Sequence, residues 1–445
     1  MLTQTHSRLH AYGRALRPVM VLPTLAMLVF VSGTQVVAVA PLLPRIGIQL
    51  GVPEALLGTI MTADAVLFGL VAFGAGPVSD TVGRRRVLLA GVALLGLALL
   101  AHAAVVGYRS LLLVRAAAGV GGGMLSSSTV AYLVDAFGRD PDGGANRWLL
   151  VAFACSQVIG VPIATILGST HDFRTPFILL GMLAVATWVM VHLFVTQPPI
   201  ALAEGPLRPA DLVGRHREML RRRDVLAAAG VYALVFGASA FFLVYLPGWL
   251  VGSMGAEPRH VALLFCLGGA GFAAGSLRAV GLARRVGRRR AFVSASMLAG
   301  LAIAVTTLVA RNVALACALF AAVMALQAAR IGPLEELAAS VVSADRRGTL
   351  VSLVLCVGQV AFGAGSAAAG FVVAGVGFGI STAVAAVMLT AGALLAHRVM
   401  KPPPPRLPDD DDNLPERRAG LRASQAVAAA SAPRSVGRPL RAHSA

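Results

Sequence analysis

Long apolar runs alternate with short polar breaks along the chain. Twelve runs stand out, at roughly 19–40, 56–77, 87–107, 110–133, 148–168, 175–196, 225–247, 260–280, 291–309, 312–333, 349–371 and 376–397. Each approaches the length of about 20 residues that a helix needs to cross the hydrocarbon core of a bilayer. In lipid only a helix or a closed barrel satisfies its own backbone, and barrel strands are about ten residues long with alternating character. The pattern therefore predicts an all-α polytopic membrane protein with twelve transmembrane helices. Glycine and alanine recur through the runs, which predicts close helix–helix contact rather than catalytic loops.

Composition agrees with this reading and narrows it. The 445 residues are 57% apolar and only 13% charged, against roughly 45–50% and about 25% in an ordinary soluble domain. Mean hydropathy is +0.78. A single soluble domain, a coiled coil and a disordered chain are excluded. The first run, Val19 to Ala40, is too long for a signal-peptide core and lacks a small-x-small cleavage site. It reads as the first span, behind a basic tail carrying Arg8, Arg14 and Arg17. Cys155, Cys266, Cys317 and Cys356 each lie in an apolar run with no metal-ligand spacing, so they read as small buried hydrophobes.

The net charge of +18 raises the question of nucleic acid, and the position of the arginines answers it. With both termini placed inside, 31 of the 38 basic residues fall on the inner side. Five, namely Arg45, Arg109, Arg174, Arg259 and Arg311, fall outside, and Arg115 and Arg330 lie within spans. That asymmetry is the positive-inside rule, and it sets a plasma-membrane protein with both termini cytoplasmic. Basic residues at helix ends suit the anionic inner leaflet rather than base edges, so lipid is a predicted partner and nucleic acid is not.

Six spans per half would make the two halves parallel, and a weak repeat supports this. Gly83-Arg84-Arg85-Arg86 follows span 2, and Gly287-Arg288-Arg289-Arg290 follows span 8, 204 residues later. Arg147 precedes span 5 and Arg347 precedes span 11; those spans carry Gln157 and Gln359. The predicted organisation is a cytoplasmic tail over 1–18, a six-helix bundle over 19–196, a linker over 197–224, a second six-helix bundle over 225–397 and a disordered cytoplasmic tail over 398–445. Residues 208–223 of the linker suit either a basic helix on the membrane surface or a solvated connection. The tail runs from Pro402–Pro405 through Asp409–Asp412 into an Ala/Ser/Arg stretch.

The most informative motif lies between spans 2 and 3, in Gly76-Pro-Val-Ser-Asp80-Thr-Val-Gly83-Arg84-Arg85-Arg86. Glycine and proline allow a tight turn between helices, a carboxylate suits a helix N-terminus, and arginines pair with acidic groups. Such contacts can latch one conformation and break in another. This loop resembles the signature loop of the major facilitator superfamily, and the whole of residues 19–397 resembles its twelve-span proton-coupled efflux branch. The resemblance implies two pseudo-symmetric six-helix bundles around a central cavity. It also implies that Gly76, Asp80, Gly83, Arg84 and Arg85 stabilise an outward-open state, with Asp80 facing the start of span 11 and Asp135 as acidic partner of Arg84. The second copy departs from the motif: Arg284 stands at the aspartate position and Val280 at the first glycine, so a latch there must use other partners.

Within the spans, buried polar residues are the candidates for mechanism. Arg115 sits inside span 4, where a charge is costly and a purposeless one improbable, although snorkelling to the outer surface remains the bland alternative. The resemblance links an arginine here, followed by Gly119, to proton coupling. Asp64 lies a third of the way into span 2. Burial disfavours a charged carboxylate, so Asp64 is a candidate proton carrier, cation-binding group or structural partner of Arg115. Span 1 has no acidic residue, only Thr34 and Gln35, which argues against a strictly cation-selective pump. Span 5 carries Gly160, Pro162 and Gly168, resembling the efflux-type span-5 motif with a valine between the glycine and the proline. Gln157 and Gln359, on equivalent spans, are further candidates to line the cavity. Arg330, Glu335 and Glu336 near the inner end of span 10 read as an ion-pair gate or a solvated helix end. Tyr232, Phe236, Phe241, Phe242 and Tyr245 give span 7 an aromatic face suited to an apolar pocket or to packing.

No enzyme signal is present. There is no phosphate-binding loop, and His102, His171, His192 and His260 make no ligand cluster. The expectation is a secondary active transporter, monomeric and without a cofactor, metal or catalytic residue. It would use protons to export a small, largely apolar compound by alternating access. A transporter of a sugar, amino acid or organic acid with the same fold, and a non-transporting membrane sensor or scaffold, are the alternatives.

Overall fold

The computed structural model describes residues 2–137, 144–198, 219–343 and 346–400. Most of the basic stretch expected over 208–223, and the tail from 401 onward, lie outside the described residues. Twelve described helices are long and apolar enough to cross a membrane. They are Val19–Val37, Glu54–Val82, Arg84–Ala104, Tyr108–Phe137, Arg147–Thr170, Arg174–Phe194, Arg223–Met254, Pro258–Ala279, Arg288–Val309, Val313–Ala339, Arg347–Val376 and Phe378–Val399, numbered here as spans 1 to 12. Exposed leucines such as Leu97, Leu113, Leu277 and Leu308 face outward from them, as a surface bathed in acyl chains requires.

Local sequence sets the helix ends. Asn312 caps span 10, its Oδ1 accepting from the Leu315 N–H at 2.9 Å. Glu257 and His260 form a reciprocal capping box around Pro258 at the start of span 8. Spans 1 and 7 are each interrupted near the same end. Span 1 breaks at Ala38 before the short helix Val39–Leu50, and span 7 breaks between Leu243 and Leu246.

Packing reveals the duplication. In the first half the spans follow one another in the order 2, 4, 3, 6, 1, 5; in the second the order is 8, 10, 9, 12, 7, 11, the same sequence advanced by six. The halves meet along two seams, span 2 against span 11 and span 5 against span 8, so the twelve helices close into a ring. Spans 1 and 4, and likewise spans 7 and 10, lie across the interior with little backbone packing between them.

The seam between spans 2 and 11 is not uniform along its length. At the end away from the arginine-rich loops, backbone lies on backbone. A Cβ on Gly58 would fall 1.8 Å from the Ser366 carbonyl oxygen, and one on Gly370 would fall 2.4 Å from that of Ala55. Thr62 Oγ1 donates to the Gly363 carbonyl at 2.6 Å, and the Gly58 N–H donates to the Tyr245 hydroxyl at 2.8 Å. Toward the arginine-rich end the helices diverge: nothing lies within 4 Å of a Cβ placed on Gly74, Gly76 or Gly348. This seam is therefore sealed at one end and parted at the other.

Candidate functional site

The interior polar cluster is assembled from spans 1, 2 and 4. Arg115 is fully buried and Asp64 is 2% exposed. Arg115 Nη2 lies 3.2 Å from Asp64 Oδ2, and Nη1 donates to Gln35 Oε1 at 2.9 Å. The guanidinium thus ties span 4 to spans 1 and 2, rather than reaching toward a surface. Span 2 can come this close because of Gly119: a Cβ there would meet the Asp64 carbonyl oxygen at 2.2 Å. Three buried atoms of the cluster have no hydrogen-bond partner, namely Asp64 Oδ1, Arg115 Nε and Gln35 Nε2. Asp64 also borders a small cavity of about 20 Å³, shared with Val36, Met61, Ala65, Phe68, Gln359 and Phe362. That is room for roughly one water molecule, and it lies on the seam, with Asp64 from one half and Gln359 from the other.

Gln157 lies elsewhere. It is buried on the opposite seam, with its Cβ 2.8 Å from a Cβ placed on Gly269 of span 8, and its Nε2 donates to Ser156 Oγ at 3.4 Å. The two glutamines occupy equivalent spans but different seams. Around them span 5 contains a π-turn, Ser156–Gly160, in which the Val161 N–H reaches back to the Ser156 carbonyl. Pro162 has no N–H and its ring crowds the carbonyl four residues earlier, which explains the wider turn. Gly160 and Gly168 of the same span lie against span 1 and its continuation. A Cβ on Gly160 would meet Thr34 Oγ1 at 2.2 Å, and one on Gly168 would meet Leu42 Cδ2 at 2.5 Å.

At the arginine-rich end, the loop between spans 2 and 3 centres on Arg84. Its Nε donates to Asp135 Oδ2 at 2.8 Å, and its Nη atoms reach Asp80, Ser79 Oγ and the Gly76 carbonyl. Arg85 Nη2 donates to the His192 carbonyl at 2.7 Å, joining span 3 to the end of span 6. Gly83 makes the turn with φ of 102° and ψ of 138°, a conformation closed to residues with a Cβ. The second loop repeats much of this. Gly287 has φ of 86° and ψ of 144°, Arg288 pairs with Glu336, and Arg289 Nη1 donates to the His397 carbonyl at 3.4 Å. The sequence motif is degraded there, yet the arginine from span 9 still finds a carboxylate at the end of span 10. Glu336 is thus held across to span 9.

One contributor escaped sequence reasoning. His102 is fully buried at the end of span 3, and its ring stacks on Phe177 of span 6 at 4.3 Å. The Arg115 guanidinium carbon lies 5.7 Å from the centroid of that same ring. His102 Nδ1 faces two carbonyls, of Ala98 and Leu99, so it carries the proton, and Nε2 is left as an acceptor with no partner. An isolated histidine near a span end gives no sequence signal of this; the stack depends on spans 3 and 6 packing side by side.

A ring of twelve membrane helices, built as two like halves around buried charges, defines a multi-pass membrane carrier rather than an enzyme. The model of the Major Facilitator Superfamily matches residues 25–279, more than half of the chain, and the chain belongs to that family of transporters. The chain is 26% identical over 271 residues to the uncharacterized MFS-type transporter YceJ of Bacillus subtilis, a match covering 61% of this chain and 68% of YceJ. It is 25% identical over 210 residues to the uncharacterized MFS-type transporter EfpA of Mycobacterium tuberculosis, covering 47% of this chain and 36% of EfpA. Among solved structures, a D-xylose–proton symporter superimposes with a TM-score of 0.70 at 15% identity, covering 87% of this chain and 98% of that one, and so shares its fold.

Proposed function

We propose that the chain is a proton-coupled exporter of a small, largely apolar compound, working by alternating access as a monomer in the plasma membrane with both termini cytoplasmic. The observation that carries this reading is Asp64, which is buried, paired with Arg115 through one oxygen and unpartnered at the other, and borders a water-sized space on the seam between the halves. A proton delivered to Oδ1 neutralises the carboxylate and weakens its hold on Arg115, which keeps Gln35. Arg115 then links span 4 to span 1 alone, and spans 2 and 4 lose the ion pair that joins them in the interior. Protonation at Asp64 in this way loosens span 2, which forms one wall of the seam with span 11, from span 4 within its own half. The loop around Asp80 and Arg84 joins spans 2, 3 and 4 at the cytoplasmic end and acts as the latch of one state. Gln359 and Gln157 mark the two seams that open and close. The arginine-rich end is taken as cytoplasmic on the positive-inside rule, so the described conformation is the inward-facing one.

The span-5 features support export, since Gly160 and Gly168 bring span 5 against span 1 and Pro162 stands beside the π-turn. The test is transport in inverted membrane vesicles under an imposed pH gradient, screened against a panel of apolar compounds. The wild type should take up at least one compound and release protons as it does so, and Asp64→Asn should abolish the dependence on the gradient. The proposal fails if no compound moves and no proton is released, or if Asp64→Asn responds to the gradient as the wild type does.

A further inference from the structure

The second half holds a buried arginine whose charge no ion pair among the described residues balances. Arg330 of span 10 is 2% exposed. None of the ion pairs among the described residues includes it. Glu336, six residues on, is engaged by Arg288. Arg330 Nη2 reaches Gln327 Oε1 and, at 3.5 Å, Ser239 Oγ of span 7, while Nη1 has no partner at all. Gln327 is itself 8% exposed, and its Nε2 donates to the same Ser239 Oγ at 3.3 Å.

This arrangement resembles that of Arg115 in kind, though not in level: the 204-residue step between Gly83 and Gly287, taken from Arg115, falls on Leu319, eleven residues before Arg330. In each half an arginine on the fourth span bridges to the first span of that half, across an interior with little backbone packing: Arg115 to Gln35, Arg330 to Ser239. In the first half span 2 supplies Asp64. The helix of span 8, Pro258–Val286, contains no aspartate or glutamate to do the same for Arg330. A buried guanidinium without a counter-charge is costly, and its free donors are matched to an oxyanion that binds edge-on.

We infer that Arg330, with Gln327 and Ser239, is an anion subsite that receives a carboxylate of the transported compound. This rests on the reading of the interior as a transport path and adds a charge to its substrate. The neighbouring surface selects an apolar body behind that carboxylate. Phe236 and Tyr232 stand one and two turns before Ser239 on span 7, with their rings stacked at 6.1 Å. The ligand class is therefore a small aromatic or otherwise apolar carboxylate.

The test is equilibrium binding to the purified full chain in detergent, with benzoate as probe and benzamide as its uncharged isostere, read as a shift in the thermal unfolding midpoint. Benzoate should raise the midpoint of the wild type and benzamide should not. Arg330→Gln should weaken benzoate at least about tenfold, as expected for loss of hydrogen bonds to a charged group. Where Arg330→Gln does not fold, Ser239→Ala and Arg330→Lys, which keeps the charge but loses the fork, should each weaken benzoate measurably. Equal shifts with benzoate and benzamide, no shift with either, or unchanged benzoate affinity in the variants that fold would overturn the assignment. The readout needs neither a gradient nor transport, so it can fail while export stands and stand while export fails.

Discussion

At the scale of single residues, the Asp64–Arg115 pair dominates. Both members are buried and each balances the other, so truncating one strands its partner in a low-dielectric interior. Arg115→Ala should destabilise the protein by about 3–5 kcal/mol, seen as a fall in the thermal midpoint in detergent. The double variant Asp64→Asn/Arg115→Gln should recover part of that loss. A double variant no more stable than Arg115→Ala would mean that the pair contributes by shape rather than by charge. These two residues were legible in the chain because a charge inside a long apolar run is conspicuous. The neighbours that complete the cluster were less so. Gln35 stood out as the only amide side chain in its span, but His102 and Phe177 meet only through the packing of spans 3 and 6. Gln359 reaches the Asp64 cavity from a span 295 residues further along the chain.

At the scale of elements, the two arginine loops can be compared directly. The Arg84–Asp135 pair has side chains 10% and 20% exposed, whereas the Arg288–Glu336 pair is 38% and 52% exposed. Solvent screens the second pair more. Double-mutant cycles with glutamine and asparagine replacements should therefore give a coupling of about 1–3 kcal/mol for the first pair and only about 0.2–1 kcal/mol for the second. Equal couplings would show that burial does not set the strength of these links. The twelve spans themselves were legible to within a few residues, since length and apolarity decide them. Their ends were not. Span 2 runs on through Ser79, Asp80 and Thr81 to Val82, and span 11 through Val372 and Val373 to Val376, until Gly83 and Gly377 turn the chain. The pairing of Arg288 with Glu336 was hidden because the motif around it has lost its aspartate. Only the structure reveals that the partner lies on span 10.

At the scale of the whole molecule, the seam between spans 2 and 11 decides which end is open. Gly58 lies where the seam is tightest, and a side chain there cannot coexist with the Ser366 carbonyl. Gly58→Val should therefore shift the population toward the state in which that end parts and the arginine-rich end closes. A single cysteine at Gly74, in a background without the four native cysteines, reports this: it should react freely with a permeant thiol reagent in the parent and several-fold more slowly in the Gly58→Val variant. Unchanged labelling would mean that the seam does not govern the exchange. Duplication of the fold was legible from the spacing of the arginine clusters. The direction of opening was not, because one sequence must encode both states and the difference lies in which contacts are made at a given moment.

The π-turn of span 5 has a consequence for phase. A regular helix advances by about 3.6 residues per turn, yet the exposed positions Val151 and Ile159 stand eight residues apart, two turns at a wider pitch, before Ile163 and Ile166 resume ordinary spacing. The one extra residue re-clocks the half of the helix before Ser156 against the half after Gly160. Trp148, Leu150 and Val151 thereby keep to the lipid while Gly160 and Gly168 keep to span 1. A helical wheel drawn straight through 147–170 would rotate the lipid face of one half into the protein. Span 5 is best understood as two short helices joined with a phase offset, each free to hold its own neighbour.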